Sequence, residues 1–421
     1  MTHHITMQTE IINIGDELLI GQVINSNAAK MGQMLLKGGF TTKRVITIGD
    51  DRDAILSAIE NRLKDTKILI FSGGLGPTRD DLTKNVLADY FDTELVFNQE
   101  AYEDIAAFFK QRQLPVSDTN REQAYLPKAC ITLPNKVGTA RGMWFEKEGL
   151  IVISLPGVPS EMTYLMQEQV LPRLIDRFHT QALHYRTIMT MGIGESFLAD
   201  IIEEWEKALP QDMSLAYLPQ YGAVRLRLSC SDTQPERSLQ RMQNEIDKVV
   251  PLIAPYIYGY DEISMQEVVG QLLQEKGLSV ACAESCTGGY ISHLITSVPG
   301  SSNYYRGGIV AYHNEVKMKQ LMVSEESLEQ HGAVSQEVVE QMAQGARKAL
   351  KADCAIATSG IAGPGGGSPE KPVGTIWIAV CQGTKTHTRK LQLSGNRSAN
   401  IERSTKIALN MLRELLMQKE H

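Results

Sequence analysis

Short apolar runs alternate with amphipathic segments along residues 10–175. Four of these runs end in glycine, and apolar residues at helical spacing follow each of them. Strands that alternate with helices predict a parallel sheet that helices cover on both faces. The four runs are EIINIG (10–15), RVITIG (44–49), KILIFSGG (67–74) and LIVISLPG (150–157).

The pattern changes at residues 176–258, where strand-rich runs surround one amphipathic helix, FLADIIEEWEKAL. This segment is too short for an obvious enzyme domain and predicts a connecting α+β module. Alternating strand and helix signals return from residue 259 to the closing helix. The expected fold class is therefore α/β, with two α/β domains (1–175 and 259–421) whose covered sheets are mostly parallel, joined by a small α+β module (176–258).

Length and charge exclude several classes of function. With 421 residues, the chain exceeds what one hydrophobic core usually organises. The net charge of −7 provides no overall basic surface, so nucleic acid is not an expected partner. No apolar run approaches the ~20 residues of a membrane span, and the N-terminus lacks a secretory pattern. A cytoplasmic protein with no membrane partner is expected, and its six cysteines show no disulfide framework.

Two predicted strands lead into Gly- and Pro-rich turns that precede a helix. The turns are SGGLGPTRDD (72–81), with Gly73 and Gly74, and LPGVPSEM (155–162), with Gly157. Such loops gather at the carboxyl edge of an open parallel sheet, where glycines let backbone N–H groups approach an anion. The sequence therefore predicts phosphate binding at this edge, and simple turn chemistry is the alternative reason for the glycines.

Four acidic side chains accompany this predicted phosphate site. Carboxylates beside a phosphate repel it unless a cation lies between them, and Mg²⁺ prefers oxygen ligands of this kind. We therefore expect a divalent metal ion, Mg²⁺ or similar, in the N-terminal domain. Capping of the next helix by the third and fourth of these acids is the structural alternative. The four acids are Asp16, Glu17, Asp80 and Asp81.

The stretch ACAESCTGG (281–289) places Ser285 between an apolar strand and a predicted helix. A hydroxyl at such a corner is accessible and lies beside unpaired helix N–H groups, which suits a nucleophile. The same position also suits a helix N-cap, for which serine is favoured on structural grounds alone. Cys286 is the competing nucleophile because a thiol is intrinsically more reactive, although cysteines are usually buried.

Several motifs of the first block resemble those of the CinA family, the competence/damage-inducible proteins. They are IGDELLIGQVINSN (14–27), SGGLGPTRDDLT (72–83) and LPGVPSEM (155–162). The first domain of that family is similar to the molybdopterin-binding MoaB/MogA fold. The resemblance implies a divalent-metal-dependent pyrophosphatase that acts on ADP-ribose, and binding of a molybdopterin-type ligand in the same pocket stays open. The family's site positions fall on Asp16, Glu17, Gly73, Gly74, Asp80 and Asp81.

The second block resembles the C-terminal domain of the same family, which is similar to nicotinamide-mononucleotide (NMN) deamidases. The motifs are AESCTGG (283–289), PGSSNYYRGGIVAYHNEVK (299–317), TSGIAGPGGGSPEKPVGTIWIAV (358–380) and GNR (395–397). The resemblance implies an enzyme of pyridine-nucleotide salvage that converts NMN and water into nicotinate mononucleotide and ammonia without a cofactor. The resemblance also implies Ser285 as the nucleophile. A homodimer is implied by the resemblance and by no other feature of the sequence.

Amide hydrolysis through a serine requires a base, oxyanion donors and a group that protonates the departing ammonia. Lys317 and Tyr312 are the expected pair, because a desolvated lysine becomes neutral enough to accept a proton and a tyrosine can relay it. Without the family resemblance, a solvated surface charge would be the better interpretation of Lys317. The expected oxyanion donors are the backbone N–H groups of Thr287, Gly288 and Gly289.

Other residues near these motifs have expected or open roles. Ser359 and Arg397 are expected to contact the substrate, since a forked guanidinium suits a nucleotide phosphate, and Lys371 is a weaker candidate for that contact. Glu284 is either a base or an orienting group, and His313 is expected to be non-catalytic. A non-enzymatic accessory protein of competence or recombination is the rival function, for which the sequence would need a basic stripe with interleaved aromatic residues; none occurs in it.

Overall fold

The computed structural model describes residues 7–78, 81–180, 184–220, 222–230 and 234–418. The chain divides into two compact units. The first comprises residues up to 184 together with 230–239, and the second comprises 185–229 together with residues from 240 onward. The predicted α+β module and the predicted C-terminal domain thus both contribute to the second unit.

Eight strands and eight α-helices are described before residue 180, and a π-helical turn (Met166–Val170) lies between the last two helices. The strands are β1 (Met7–Ile14), β2 (Phe40–Ile48), β3 (Ile68–Ser72), β4 (Leu95–Phe97), β5 (Tyr125–Pro127), β6 (Ile131–Leu133), β7 (Gly142–Lys147) and β8 (Leu150–Leu155). The helices are α1 (Asp16–Leu19), α2 (Ser26–Lys37), α3 (Arg52–Glu60), α4 (Thr83–Tyr90), α5 (Gln99–Gln111), α6 (Asp118–Glu122), α7 (Pro159–Leu165) and α8 (Leu171–Phe178).

The sheet of the first unit has six strands in the order β2-β1-β3-β8-β7-β6. The first four strands are parallel, whereas β7 and β6 are antiparallel to their neighbours. Alternate residues of the parallel strands enter two different hydrophobic clusters: Ile11 and Ile70 lie in one, Ile12 and Phe71 in the other. Both faces are therefore buried, as the uninterrupted apolar runs predict.

The α+β segment contains a four-stranded sheet in the order β10-β11-β9-β12, in which β9 and β12 are antiparallel. Its strands are β9 (His184–Met191), β10 (Met213–Gln220), β11 (Ala223–Cys230) and β12 (Ile257–Tyr260). Its helices are α9 (Glu195–Lys207) and α10 (Pro235–Ile253).

The remaining residues form a five-stranded sheet in the order β14-β13-β15-β16-β17. The strands are β13 (Val280–Glu284), β14 (Tyr305–Val310), β15 (Cys354–Gly360), β16 (Thr375–Gln382) and β17 (Lys385–Gln392). The helices are α11 (Met265–Glu275), α12 (Tyr290–Thr296), α13 (Asn314–Leu321), α14 (Glu325–His331), α15 (Gln336–Ala349) and α16 (Arg397–Met417).

The α/β class is confirmed, and the five-stranded sheet adds an antiparallel edge to it. Strands β14, β13 and β15 are parallel, whereas β16 is antiparallel to both of its neighbours, β15 and the edge strand β17. A tight turn at Gly383, which has a φ of 58°, joins these two strands, and two antiparallel neighbours need no crossover helix. Within the described residues, no helix is long and apolar enough to cross a membrane.

Candidate active site

Ser285 lies at the corner between β13 and α12, as the sequence predicts. Strand β13 is fully buried, and the helix begins after Gly288 and Gly289, whose φ angles of 61° and 100° favour glycine. The N-cap position of α12 is Gly289, and no side chain caps this helix. The interpretation of Ser285 as a helix N-cap is therefore wrong, and its hydroxyl is available for another role.

A cavity of about 180 Å³ lies at the carboxyl edge of the parallel strands, beside Ser285. Residues after β13, after β14 and at the end of β15 meet there because these three strands are neighbours in register. Five of the residues expected to carry chemistry or bind substrate line this one cavity. The lining residues are Ser285, Cys286, Tyr312, Asn314, Lys317, Ala333, Val334, Ser359, Gly360, Ala362 and Arg397.

Lys317 is almost completely buried, with 1% of its surface exposed. Its side-chain nitrogen donates to the carbonyl oxygens of Ala311 at 2.9 Å and Tyr312 at 3.5 Å. Among the described residues, no carboxylate lies within ion-pair distance of it. Burial therefore lowers the pKa of Lys317, and the nearby Cys286 opposes this effect only in part. The interpretation of Lys317 as a solvated surface charge is wrong.

Tyr312 and Arg397 contact each other at the edge of this cavity. Arg397 donates to the Tyr312 hydroxyl at 3.0 Å and to the carbonyl of Gly363 at 2.8 Å, which fixes the guanidinium in place. Strand β14 ends at Val310. The chain turns there, and the carbonyls of Ala311 and Tyr312 accept from Lys317 instead of continuing the strand.

The expected oxyanion donors are only partly available. The N–H of Gly288 donates to the carbonyl of Ser285 at 3.2 Å, and the N–H of Gly289 donates to the Glu284 carboxylate at 3.0 Å. The expectation that these two groups are free for an oxyanion is therefore wrong for this structure. Within the described part of the chain, the N–H groups of Cys286 and Thr287 form no backbone–backbone hydrogen bond. These two donors directly follow Ser285.

Cys286 also lines the cavity, so it lies beside Ser285 in space as well as in sequence. The residue is 4% exposed, and burial raises the pKa of its thiol to about 12. The thiolate is the nucleophilic form of cysteine, and this environment disfavours it at neutral pH. Burial therefore disfavours Cys286 as a nucleophile.

Glu284 is not among the residues that line the cavity. Its carboxylate is fully buried and accepts hydrogen bonds from the backbone and side chains of the segment that follows it. Ser359 is buried too, and its hydroxyl donates to the carbonyl of Ala333 at 2.6 Å, which leaves its oxygen free to accept from a ligand.

Two other basic residues that the sequence analysis considers, His313 and Lys371, lie outside the cavity. His313 is the N-cap of α13, where its Nδ1 accepts from the N–H of Glu315 at 3.3 Å. Lys371 donates to the carbonyl of His331 at 2.6 Å. Each thus has a local structural partner, and neither is placed to contact a ligand beside Ser285.

In the first unit, the two Gly-rich turns lie side by side, as expected for loops at one sheet edge. A Cβ built on Gly157 would be 3.5 Å from the Cα of Gly73. Gly73 has a φ of 124° and a Cβ there would lie 2.3 Å from the Ile14 carbonyl oxygen, so this position requires glycine. At Gly74, with a φ of 65°, a Cβ would lie 2.1 Å from the Thr83 hydroxyl oxygen.

The expected metal ligands do not form a cluster in the described residues. Asp16 and Glu17 are exposed at the start of α1, at the same sheet edge as the glycine turns. Both Asp81 oxygens accept from the turn before it, including the N–H of Gly76 at 2.8 Å and of Thr78 at 2.9 Å. Helix α4 is not capped by Asp81, so that alternative is wrong for this residue. Asp80 lies outside the described residues.

No group of three carboxylate, histidine or cysteine side chains within the described ranges is arranged to hold a metal ion. Asn27 and Ser72, to which the sequence assigns no role, lie close to the glycine turns. The Asn27 side-chain amide donates to the Ser72 hydroxyl at 3.2 Å and to the Gly157 carbonyl at 2.7 Å. The repeated asparagine of the NSN sequence is the signal that indicates a polar contact at this edge.

Comparison with known proteins assigns three segments of the chain to described families. Residues 10–176 match a probable molybdopterin binding domain, and residues 185–259 match the damage-inducible protein CinA KH domain. Residues 262–416 match the CinA C-terminal domain. The crystal structure of the competence/damage inducible protein CihA from Agrobacterium tumefaciens is 37% identical, covers 37% of this chain and 94% of its own, and gives a TM-score of 0.36.

Two curated relatives match this chain over nearly its whole length. A CinA-like protein of Cytophaga hutchinsonii is 44% identical over 409 residues, which cover 97% of this chain and 98% of that protein. A putative competence-damage inducible protein of Caldicellulosiruptor saccharolyticus is 41% identical over 411 residues, with coverage of 98% and 100%. The chain therefore belongs to the CinA family and combines a MoaB-like N-terminal domain with a CinA C-terminal domain.

Proposed function

We propose that the C-terminal domain hydrolyses the carboxamide of NMN, with Ser285 as the nucleophile and Lys317 as the general base. One observation carries the proposal: Ser285 and the buried Lys317, which has no carboxylate partner among the described residues, line the same cavity. A strongly desolvated lysine beside a hydroxyl in a cleft is characteristic of a functional site. Acyl transfer from an amide is the chemistry that this pair supports.

The two carbonyls that accept from Lys317 leave one position on its nitrogen open. An ammonium group carries three N–H bonds, and two of them are directed to Ala311 and Tyr312. Loss of the third proton keeps both bonds and leaves a lone pair at the remaining position. Because Lys317 lines the cavity, this lone pair is the one that a hydroxyl or a leaving group in the cavity can reach.

The proposed reaction proceeds through an acyl-enzyme. Ser285 Oγ attacks the carboxamide carbon while its proton passes to Lys317. The N–H groups of Cys286 and Thr287 then stabilise the oxyanion. Collapse of the tetrahedral intermediate breaks the C–N bond, and the departing nitrogen takes the proton from Lys317 and leaves as ammonia. Water repeats the sequence on the acyl-serine and releases nicotinate mononucleotide.

A second cavity, of about 350 Å³, offers room for the rest of the nucleotide. It shares Ala362 and Arg397 with the cavity beside Ser285 and includes Asn396 and Ser398 at the N-terminus of α16. Helix N-termini and guanidinium groups both favour phosphate. We infer that the pyridine carboxamide occupies the cavity at Ser285 and that the phosphate lies in this second cavity beside Arg397.

Ammonia release from NMN by the purified chain, with and without EDTA, tests this proposal. Nicotinamide riboside, which lacks only the phosphate, is the matched control substrate. We expect EDTA-resistant ammonia release and a higher KM for the riboside. A purified, folded chain that releases no ammonia from NMN would contradict the proposed activity. Equal KM values for NMN and nicotinamide riboside would contradict only the proposed phosphate site.

For the N-terminal domain we propose ADP-ribose pyrophosphatase activity that requires a divalent ion. The glycine turns at Gly73, Gly74 and Gly157 support an anion site at the edge where Asp16 and Glu17 lie. The described carboxylates do not fit a complete ligand set, because Asp81 is bound to its own turn and no cluster of three acids forms among the described residues. No step of the hydrolysis is therefore assigned to a metal ion.

AMP release from ADP-ribose, measured with added Mg²⁺ and with EDTA, tests the N-terminal activity. We expect EDTA to abolish AMP release and to leave ammonia release from NMN intact. The family match to a probable molybdopterin binding domain supports the alternative of ligand binding without hydrolysis. Tight binding of a molybdopterin-type ligand together with an absence of AMP release would favour that alternative.

A further inference from the structure

The Glu284 carboxylate accepts five hydrogen bonds from the eight residues that follow it. One oxygen accepts from the Thr287 hydroxyl at 2.7 Å and from the N–H groups of Gly289 and Ile291 at 3.0 Å. The other accepts from the N–H of Ser292 at 2.8 Å and from its hydroxyl at 2.7 Å. The segment 285–292 is thus folded around this one side chain.

This arrangement leaves Glu284 no capacity to act as a base. A carboxylate offers about four lone-pair sites, and all of them are engaged by these donors. The side chain is 0% exposed and is absent from the residues that line the cavity. No lysine or arginine forms an ion pair with Glu284 in the described part of the chain. N–H groups at the start of α12 and two hydroxyls therefore balance its charge.

Two further hydrogen bonds hold the backbone of Ser285 itself. The Ser285 N–H donates to the Thr358 carbonyl at 3.0 Å, and its carbonyl accepts from Gly288, which closes a turn. The N–H of Gly289 donates to Glu284, whereas the N–H groups of Cys286 and Thr287 form no backbone–backbone hydrogen bond among the described residues. Glu284 therefore engages one of the backbone N–H groups, that of Gly289, that the sequence predicts for an oxyanion.

We propose that Glu284 is a positioning residue for Ser285, which it holds at the strand-to-helix turn in the orientation required for attack. This inference rests on the proposed amidohydrolase function. Replacement of Glu284 by glutamine keeps the size of the side chain but exchanges one acceptor oxygen for an NH₂ group. This NH₂ group is a donor, and it would face N–H and O–H groups that are donors too. The turn must then shift, and a misplacement of about 1 Å at a nucleophile costs about 10²-fold in rate.

The test compares kcat and KM for NMN in the wild-type chain, Glu284→Gln and Asp353→Asn. Asp353 is the matched control, since its carboxylate accepts from the N–H and hydroxyl of Ser279 at the opposite end of β13. We expect Glu284→Gln to lower kcat about 10²-fold with KM unchanged, and Asp353→Asn to keep the wild-type kcat. A loss of purely structural support would instead lower kcat in both variants in proportion to their loss of thermal stability.

A wild-type chain that releases no ammonia would overturn the proposed function itself. Full activity in Glu284→Gln beside an active wild type would overturn only the positioning role. If Glu284→Gln does not fold, Ser292→Ala decides, because it removes one donor to Glu284 and leaves the Ser292 N–H in place. We expect a several-fold lower kcat at unchanged KM in that variant, and a wild-type kcat would overturn the proposal.

Discussion

The side-chain nitrogen of Lys317 lies 2.9 Å from the carbonyl oxygen of Ala311, the first residue after strand β14. This bond joins the first turns of α13 to the end of the strand beside β13, which carries Ser285 at its own end. The sheet register therefore places the buried amine near the serine. The consequences can be measured.

Lys317→Met should lower kcat for ammonia release about 10²–10⁴-fold, the usual contribution of general acid–base catalysis. Methionine keeps most of the volume and removes the proton acceptor. Lys319→Met is the control, because Lys319 lies on the same helix with 69% of its side chain exposed and pairs with Glu315. Wild-type kcat in a folded Lys317→Met protein would exclude this lysine as the base.

The rate should rise with pH through the pKa of Lys317. A base acts in its deprotonated form, and burial lowers the pKa of Lys317 from the usual 10.5, so the active form gains population at a lower pH than an exposed lysine allows. The measurement is kcat/KM for NMN across the neutral and alkaline range. His313→Ala should leave the profile unchanged, since His313 lies at a helix cap outside the cavity. A rate that rises only at or above pH 10.5, as for an exposed lysine, would contradict this assignment.

The local sequence predicts the Ser285 corner because an apolar run and a Gly-Gly pair specify a strand, a turn and a helix within ten residues. It does not predict the burial of Lys317, whose helix shows no clear apolar face. That burial arises from packing between elements far apart in sequence. Ala333 and Val334, which also line the cavity, belong to a loop that carries no polar motif.

Residues next to a site in sequence are ambiguous for a different reason. Glu284 suits a base and an anchor equally well until its five hydrogen bonds are seen. Asp81 suits a metal ligand and a helix cap, and in the structure it holds the turn at Gly76 and Thr78 instead. The direction of a strand is ambiguous in the same way, because the apolar pattern of β16 predicts a buried strand but not its antiparallel pairing.

Ser285→Ala should almost abolish ammonia release, because only binding and oxyanion stabilisation remain to accelerate attack by water. Cys286→Ala should keep most of the activity, since burial raises the pKa of that thiol to about 12 and leaves little thiolate. Thermal unfolding of both variants is the control for folding. An active Ser285→Ala enzyme beside an inactive, folded Cys286→Ala enzyme would assign the nucleophile to the cysteine.

Arg397→Ala should raise KM for NMN and change kcat little. A charge-assisted hydrogen bond is worth about 1.5–3 kcal/mol, which corresponds to a factor of about 10–150 in KM. The effect should be absent with nicotinamide riboside, which has no phosphate. Tyr312→Phe, which removes the hydroxyl that accepts from Arg397, should raise KM for NMN by a smaller factor. Equal effects on NMN and its riboside would place Arg397 elsewhere on the substrate.

Asp81→Asn should lower ADP-ribose hydrolysis by about 10²-fold, the cost of misplacing a site by about 1 Å, because the Asp81 carboxylate orders the turn at Gly76 and Thr78 beside the predicted phosphate site. Deamidation should not change. Contact of the Asp81 charge with a bound cation is the alternative explanation, which the sequence suggests. Thr78→Val separates the two: it removes a hydroxyl donor to Asp81 and keeps the charge. An equal loss of AMP release in both variants would indicate that ordering of the turn matters, whereas a loss in Asp81→Asn alone, with a weaker response to added Mg²⁺, would indicate a cation.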